Sequence, residues 1–286
     1  TAHVIWTALA PTSNPPTYFT LAQDRQLLGD WAVSVETMQS GTVQMGPAVM
    51  AFDVADNGYA LYAPLGGSAT VHAQHYLKAG TWSQSDIMGS AADNVDSISL
   101  AVDGTDSAMA IWSRDTGSTS QVVASRYQKL WATPVVISGT DTSGIYDTSL
   151  THGGQGFVAV WSQGDTQLNI KASEFGTDWS KPLVLSSGAH SAQGAFVSAD
   201  PRGNALLLWS ELAGGVGSGG DIWFSRLNRA ADKWSNAALV ESTAGNFDIA
   251  HVGLLADGSA VSQWELATAP GISGKFVKGF YGNLFQ

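Results

Sequence analysis

Cysteine is missing from this 286-residue chain, which excludes disulfides, thiolate chemistry and sulfur-held zinc. Charge is scarce as well: only 13% of residues are Asp, Glu, Lys or Arg, about half the usual share of ~25%. Thirteen basic residues face 24 acidic ones, leaving a net charge of −11 and an isoelectric point near 4.7. So few cations, thinly spread, cannot track a phosphate backbone, so nucleic acid is not an expected partner. An anionic membrane surface is disfavoured for the same reason, and no apolar run approaches the ~18 residues of a spanning helix, so no membrane insertion is expected. Helix-period patterning of useful length and any linker-like stretch are also lacking.

What is present is a period. Short apolar runs end in an aromatic residue at Trp6, Tyr62, Trp112, Trp161, Trp209 and Trp264, at successive intervals of 56, 50, 49, 48 and 55 residues. A second series, Trp31, Trp82, Trp131, Trp179 and Trp234, runs in phase with it; of the eleven tryptophans only Trp223 stands outside both. Tryptophans in register are packing residues, each burying on the order of 200 Å². A period near 50 built from β-type segments marks a radial β-repeat.

Each unit reads as four strands. Strand A alternates, as in Ser97–Val102, and a hairpin turn of Asn, Asp and Gly follows, as at Asp56-Asn57-Gly58, Asp103-Gly104 and Asp257-Gly258. Strand B is the Trp-terminated run, as in Phe157–Trp161, and strand C alternates again, as in Val122–Tyr127 and Asn169–Phe175. Strand D is expected over Trp131–Ile137 and Trp179–Leu185, where an early Pro134 or Pro182 marks an outer edge. Four antiparallel strands per unit, repeated, predict an all-β β-propeller of six blades over 1–42, 43–91, 92–140, 141–189, 190–243 and 244–286. The first blade lacks its strand A and the last most of its strand D; a truncated seven-bladed propeller is the alternative. One domain over 1–286 is expected. The opening on Thr1 in mid-strand suits a processed or excised segment.

The units have the form Gly-x-Ala-x-Ala-Val-Trp-Ser, then Ile-x-Ala-Ser-x-Tyr, then Trp-x-x-Pro-x-x-Ile, as over Phe157–Ser162, Ile170–Phe175 and Trp179–Leu185. This pattern covers nearly the whole chain and resembles the repeats of secreted or periplasmic bacterial propellers, near the sialidase-like and fucose-lectin-like groups. The segment from Ala172 to Trp179 resembles a sialidase Asp-box at Gly176 and Trp179, with Glu174 at its acidic position; in that family the box stabilises a hairpin. The family's arginine cluster and Phe-Arg-Ile-Pro segment are missing, as are nucleophile-elbow, zincin and Walker motifs.

Tight A–B turns leave the variable B–C and D–A loops as the face expected to bind. Asp96, Asp147 and Asp248 open three strands A, preceding their strand-B tryptophans by 16, 14 and 16 residues. Beyond strand B come Arg114 and Asp115, Asp165, Glu211 and Glu265, and His251 stands where another unit has Ser99. Carboxylates so gathered suit a cation such as Ca²⁺, a basic group or sugar hydroxyls, and equally suit turn caps and backbone N–H groups. The reading is a non-catalytic recognition module of an exported, extracytoplasmic bacterial protein, binding carbohydrate or a protein partner, with no obligatory cofactor. The alternatives are a glycan-active hydrolase or lyase using these carboxylates, and a structural scaffold domain.

Overall fold

The computed structural model describes residues 2–10, 15–25, 35–64, 70–76, 82–89, 94–104, 106–212, 220–242, 246–267 and 275–282. Every regular element among them is a β-strand, and the strands form six antiparallel sheets, the blades of a β-propeller. The first sheet is β1 (Ala2–Ala10), β2 (Thr17–Arg25) and β3 (Glu36–Gly41). The second is β4 (Met45–Phe52), β5 (Gly58–Pro64), β6 (Val71–Tyr76) and β7 (Asp86–Met88). The third holds β8 (Ile98–Val102), β9 (Ser107–Asp115), β10 (Ser120–Gln128), β11 (Leu130–Trp131) and β12 (Val135–Val136). The fourth holds β13 (Ile145–Gly153), β14 (Gly156–Gln163), β15 (Asn169–Phe175) and β16 (Leu183–Val184). The fifth holds β17 (Ser191–Ala199), β18 (Ala205–Leu212), β19 (Gly220–Asn228), β20 (Lys233–Trp234) and β21 (Ala238–Glu241). The sixth is β22 (Asn246–Leu254), β23 (Ala260–Ala267) and β24 (Lys275–Gly282). The two terminal sheets have three strands, as the repeat predicts. By contacts the chain falls into two compact units, Thr1–Val136 with sheets one to three and Ile137–Gln286 with sheets four to six.

Strand B is covered on both faces, which is why it reads as an unbroken apolar run rather than an alternation. All eight residues of β18 are buried, as are the first six of β5 and seven of the eight in β14. Trp112, Trp161, Trp209, Trp264 and Tyr62 are at most 1% exposed, whereas Trp6 is half-buried. In the second series Trp82 and Trp234 are buried and Trp131 and Trp179 half-buried; Trp31 lies outside the described residues. The core lies between consecutive sheets: Trp209 and Val197 of the fifth pack with Val160 and Ile170 of the fourth.

Strand D differs from its expected form. Instead of continuous strands over Trp131–Ile137 and Trp179–Leu185, only β11, β12 and β16 are regular, the last with an isolated bridge from Phe175 to Trp179. Pro134 and Pro182 donate no hydrogen bond, so the ladder lapses around them. A side chain bridges the gap. The strand-C hydroxyls of Ser125, Ser173 and Ser225 donate to the carbonyls of Ala132, Ser180 and Ser235, each one residue past the second-series tryptophan, at 2.7, 2.8 and 2.8 Å.

The A–B turns are closed from within. Asp53 Oδ1 accepts the N–H groups of Ala55 and Asn57 at 2.8 and 2.9 Å, and Asp200 Oδ1 those of Arg202 and Asn204, both at 2.9 Å. Both carboxylates are buried, so they are structural turn caps.

Within the second unit, consecutive strands A are tied by side chains. The N–H groups of Val197 and Ala199 on β17 donate to Ser149 Oγ and Thr151 Oγ1 of β13, each at 3.2 Å, and Leu254 N–H on β22 donates to Ser198 Oγ of β17 at 3.0 Å. The period of two along β13 sends these hydroxyls to one side. Trp161→Ala, which removes a fully buried indole, is expected to cost about 3–5 kcal/mol in a urea unfolding titration; a change below about 1 kcal/mol would show that the ladder of tryptophans is not the core.

Candidate active site

The loop-side ends of strands A and B carry the sequence-selected residues, and most strands A are irregular there. Register shifts fall between Met45 and Ala48, Ile145 and Thr148, Gln193 and Phe196, and Asp248 and Ala250. Such bulges re-aim side chains at functional ends of sheets. Gly194 sits in one with φ of 68°, a conformation that disfavours any side chain. The serines after Trp112, Trp161 and Trp209 serve these strand ends. Ser113 Oγ accepts the N–H groups of Asp96 and Ser97 at 3.1 and 2.9 Å, and Ser210 Oγ–H donates to the Gln193 carbonyl at 3.2 Å. Ser162 Oγ–H donates to Asp147 Oδ2 at 3.3 Å.

The acidic candidates divide by environment. Asp147 is half-buried and also accepts Gly194 N–H from the next sheet at 2.8 Å, joining the side-chain ties between strands A. Glu211 is 2% exposed and accepts the Trp209 indole N–H at 3.1 Å and the Ser187 N–H and hydroxyl at 3.2 and 2.9 Å, so it holds the loop entering its own sheet. Asp115 accepts Gly117 N–H at 2.7 Å and exposed Asp165 accepts Gly144 N–H at 3.0 Å. Asp96 is exposed in the first unit, and Arg114 donates to Gln121. His251 is exposed and meets Phe196 edge-on at 4.6 Å.

Register separates the three strand-opening aspartates. Trp112, Trp161 and Trp264 oppose Ile98, Thr148 and Ala250, so Asp96 and Asp248 stand two residues before that position and Asp147 one before it. Across β22 and β23 the backbone pairs Asp248 with Glu265, where the fifth sheet pairs Gln193 with Ser210. The side chains of Asp248 and Glu265 lie outside the described residues. Sequence reasoning named both residues without pairing them; the signal was Trp264-Glu265 where the third, fourth and fifth units read Trp-Ser.

Two further features were not singled out. Lys171 Nζ reaches Asp141 Oδ2 at 2.5 Å, and this cation holds the Asp141 carboxyl down to about 2, aided by hydrogen bonds from Ser143. Gln163 donates to the Asp141 carbonyl at 2.9 Å, so the pair pins the loop leading to Tyr146 and Asp147. Tyr146 is 49% exposed beside Asp147. On the outer rim, a groove of about 850 Å³ between the fourth and fifth sheets is lined by Glu174, Leu183, Val184, Arg229 and Trp234. There Glu174, the acidic position of the Asp-box-like segment, accepts Arg229 at 2.6 Å and the Trp234 indole N–H at 3.0 Å, an inter-sheet role rather than a hairpin one. Among the described residues no group of three or more His, Asp or Glu is placed to hold a metal ion, and no helix is long and apolar enough to cross a membrane.

Six such sheets with irregular loop-side strand ends define a sialidase-like β-propeller. No family model matches the chain, and no curated protein matches its sequence. Among solved structures it is similar to the α-L-arabinofuranosidase Arb93A of Fusarium graminearum in complex with an iminosugar inhibitor, at 11% identity and a TM-score of 0.54, covering 84% of this chain and 81% of that one. It is similar to the NanB sialidase of Streptococcus pneumoniae at 7% identity and a TM-score of 0.51, covering 92% and 65%. A protein of unknown function from Dyadobacter fermentans matches at 8% identity and a TM-score of 0.55, covering 97% and 93%. These likenesses establish the fold. They also run against the expectation of a non-catalytic recognition module: the arabinofuranosidase, arabinanase and sialidase structures it resembles are named as glycosidases, which backs the glycan-active alternative better.

The Asp141–Lys171 pair predicts a pH effect. A carboxyl whose folded value is lowered contributes stability that is present above the ordinary value of 3.8 and is lost as pH falls from there towards about 2. In Lys171→Met the acid limb of a urea-midpoint profile over that window is expected to flatten; a profile parallel to wild type would show the pair to be inert.

Proposed function

We propose that the chain is a glycan-active hydrolase or lyase whose acid–base chemistry is done by carboxylates at the loop-side ends of the second unit, with Asp248 and Glu265 as the central pair. The observation that carries this reading is the β22–β23 register, which sets Asp248 against Glu265 at one ladder position. Cleavage of a glycosidic bond needs one carboxyl group as acid and a second as base or nucleophile. Asp248 and Glu265 bring two residues of the required type to one ladder position. Asp147, Glu211 and Asp165 each accept hydrogen bonds from backbone N–H groups or hydroxyls of the frame, which leaves them orienting roles. Tyr146, half-exposed beside Asp147, offers an aromatic face for a sugar ring.

The named activities of the similar structures support a glycan substrate, arabinose- or sialic-acid-containing among them. The acidic, lysine-poor composition, rich in Ser, Thr and Gly, supports an exported bacterial protein, in which the whole chain is one propeller domain.

The test is hydrolysis of chromogenic α-L-arabinofuranosides and sialosides. Wild type is expected to turn over at least one of them. Asp248→Asn and Glu265→Gln are each expected to lower kcat/KM about 10²–10⁴-fold, with circular dichroism unchanged. Wild-type rates in both folded variants would end this reading.

A further inference from the structure

At the turn side of the first unit, three titratable side chains close around one imidazole. His75, at the end of β6, stacks on Tyr59 of β5 with ring centroids 4.8 Å apart and leans on Tyr127 of β10 at 5.0 Å. Its Nδ1 is 3.1 Å from the Tyr127 hydroxyl. Its Nε2 is buried without a hydrogen-bond partner and points towards Asp106, whose Oδ1 lies 3.7 Å away, beyond hydrogen-bond reach. That same oxygen already accepts the Tyr59 hydroxyl at 2.7 Å. Asp106 belongs to the A–B turn of the third sheet and takes a left-handed φ of 56° there. The imidazole of the second sheet is therefore lodged among groups of the third.

Neighbouring charges are otherwise committed. Asp103 pairs with Arg126 at 3.4 Å, and Asp53 is engaged by its own turn. Tyr59 is fully buried and Tyr127 nearly so; burial first, and then Asp106, raises both phenols above the ordinary value, so both stay neutral. Asp86 adds to the effect on Tyr127.

We propose that His75 is an acid-release latch between the second and third sheets: the neutral ring fits its slot, and gaining a proton drives it out and frees the turn that carries Asp106. The physical reason is that the ring is stacked away from water between Tyr59 and Tyr127, where a full charge is poorly solvated, and Asp106 Oδ1, already taken by the Tyr59 hydroxyl, stands 3.7 Å from Nε2, short of a hydrogen bond to an imidazolium. Burial holds the ring below its ordinary value of 6.5, and the attraction of Asp106 and Asp53 offsets this only in part. A histidine held low contributes stability that is present above 6.5 and is lost as pH falls below it.

The latch is tested on the full chain by NMR titration of the histidine rings together with melting between about pH 7 and pH 5. The His75 midpoint is expected below 6.5 and lower still in Asp106→Asn, and wild type is expected to lose melting temperature relative to His75→Gln as pH falls. A midpoint at or above 6.5, or a wild type that gains on His75→Gln in acid, would overturn it, because protonation would then lock the junction. Should His75→Gln not fold, the wild-type and Asp106→Asn midpoints decide alone.

Discussion

The backbone N–H groups that strand A turns away from its own sheet must find acceptors, and much of the second unit follows from how they do. Each inner strand has strand B on one side only, so half of its donors would be left bare. The preceding sheet supplies oxygen: Ser149 and Thr151 serve Val197 and Ala199, Ser198 serves Leu254, and Asp147 serves Gly194. Short hydroxyl side chains do this without burying charge, which costs far more than burying a hydrogen-bonded hydroxyl. The unusually low charge content and the wealth of Ser and Thr are thus consequences of the architecture. The hydroxyls of Ser125, Ser173 and Ser225 repeat the solution at the outer strand, where proline interrupts the ladder.

The same constraint sorts the carboxylates. A residue that satisfies backbone donors is fixed in place and has fewer lone pairs left for a substrate, as with Glu211 and Asp147. Bulges at the loop-side ends turn the backbone out of regular pairing, and serines after the tryptophans take up the freed groups. In the sixth sheet Glu265 replaces that serine, and the repeat's structural economy is broken at that position. A departure from local consistency is where function is expected in an otherwise regular frame.

Much of the fold was legible in the sequence because its determinants are periodic. Buried strand B shows as an apolar run, the turns announce themselves by Asp, Asn and Gly, and the three-stranded terminal sheets, without strand A in the first and strand D in the last, show as incomplete units. The fragmentation of strand D was only half visible: Pro134 and Pro182 marked the edge, but the serine–carbonyl bridges that replace the ladder join residues of two strands. The site was less legible. The sequence groups Asp147 with Asp96 and Asp248 although it stands 14 rather than 16 residues before its tryptophan, and the register places it one position nearer; the bulges themselves are not written in spacing. The links of Glu174 to Arg229 and of His75 to Tyr127 span 55 and 52 residues, one repeat, and so lie between units that the sequence presents as separate.

The placement of the chemistry is tested most directly by a crystal structure of the chain soaked with an arabinose- or sialic-acid-derived inhibitor. The sugar is predicted to lie against Asp248 and Glu265 at the loop-side ends of β22 and β23. Density in the outer groove beside Glu174 and Arg229, with the loop-side ends left bare, would contradict it.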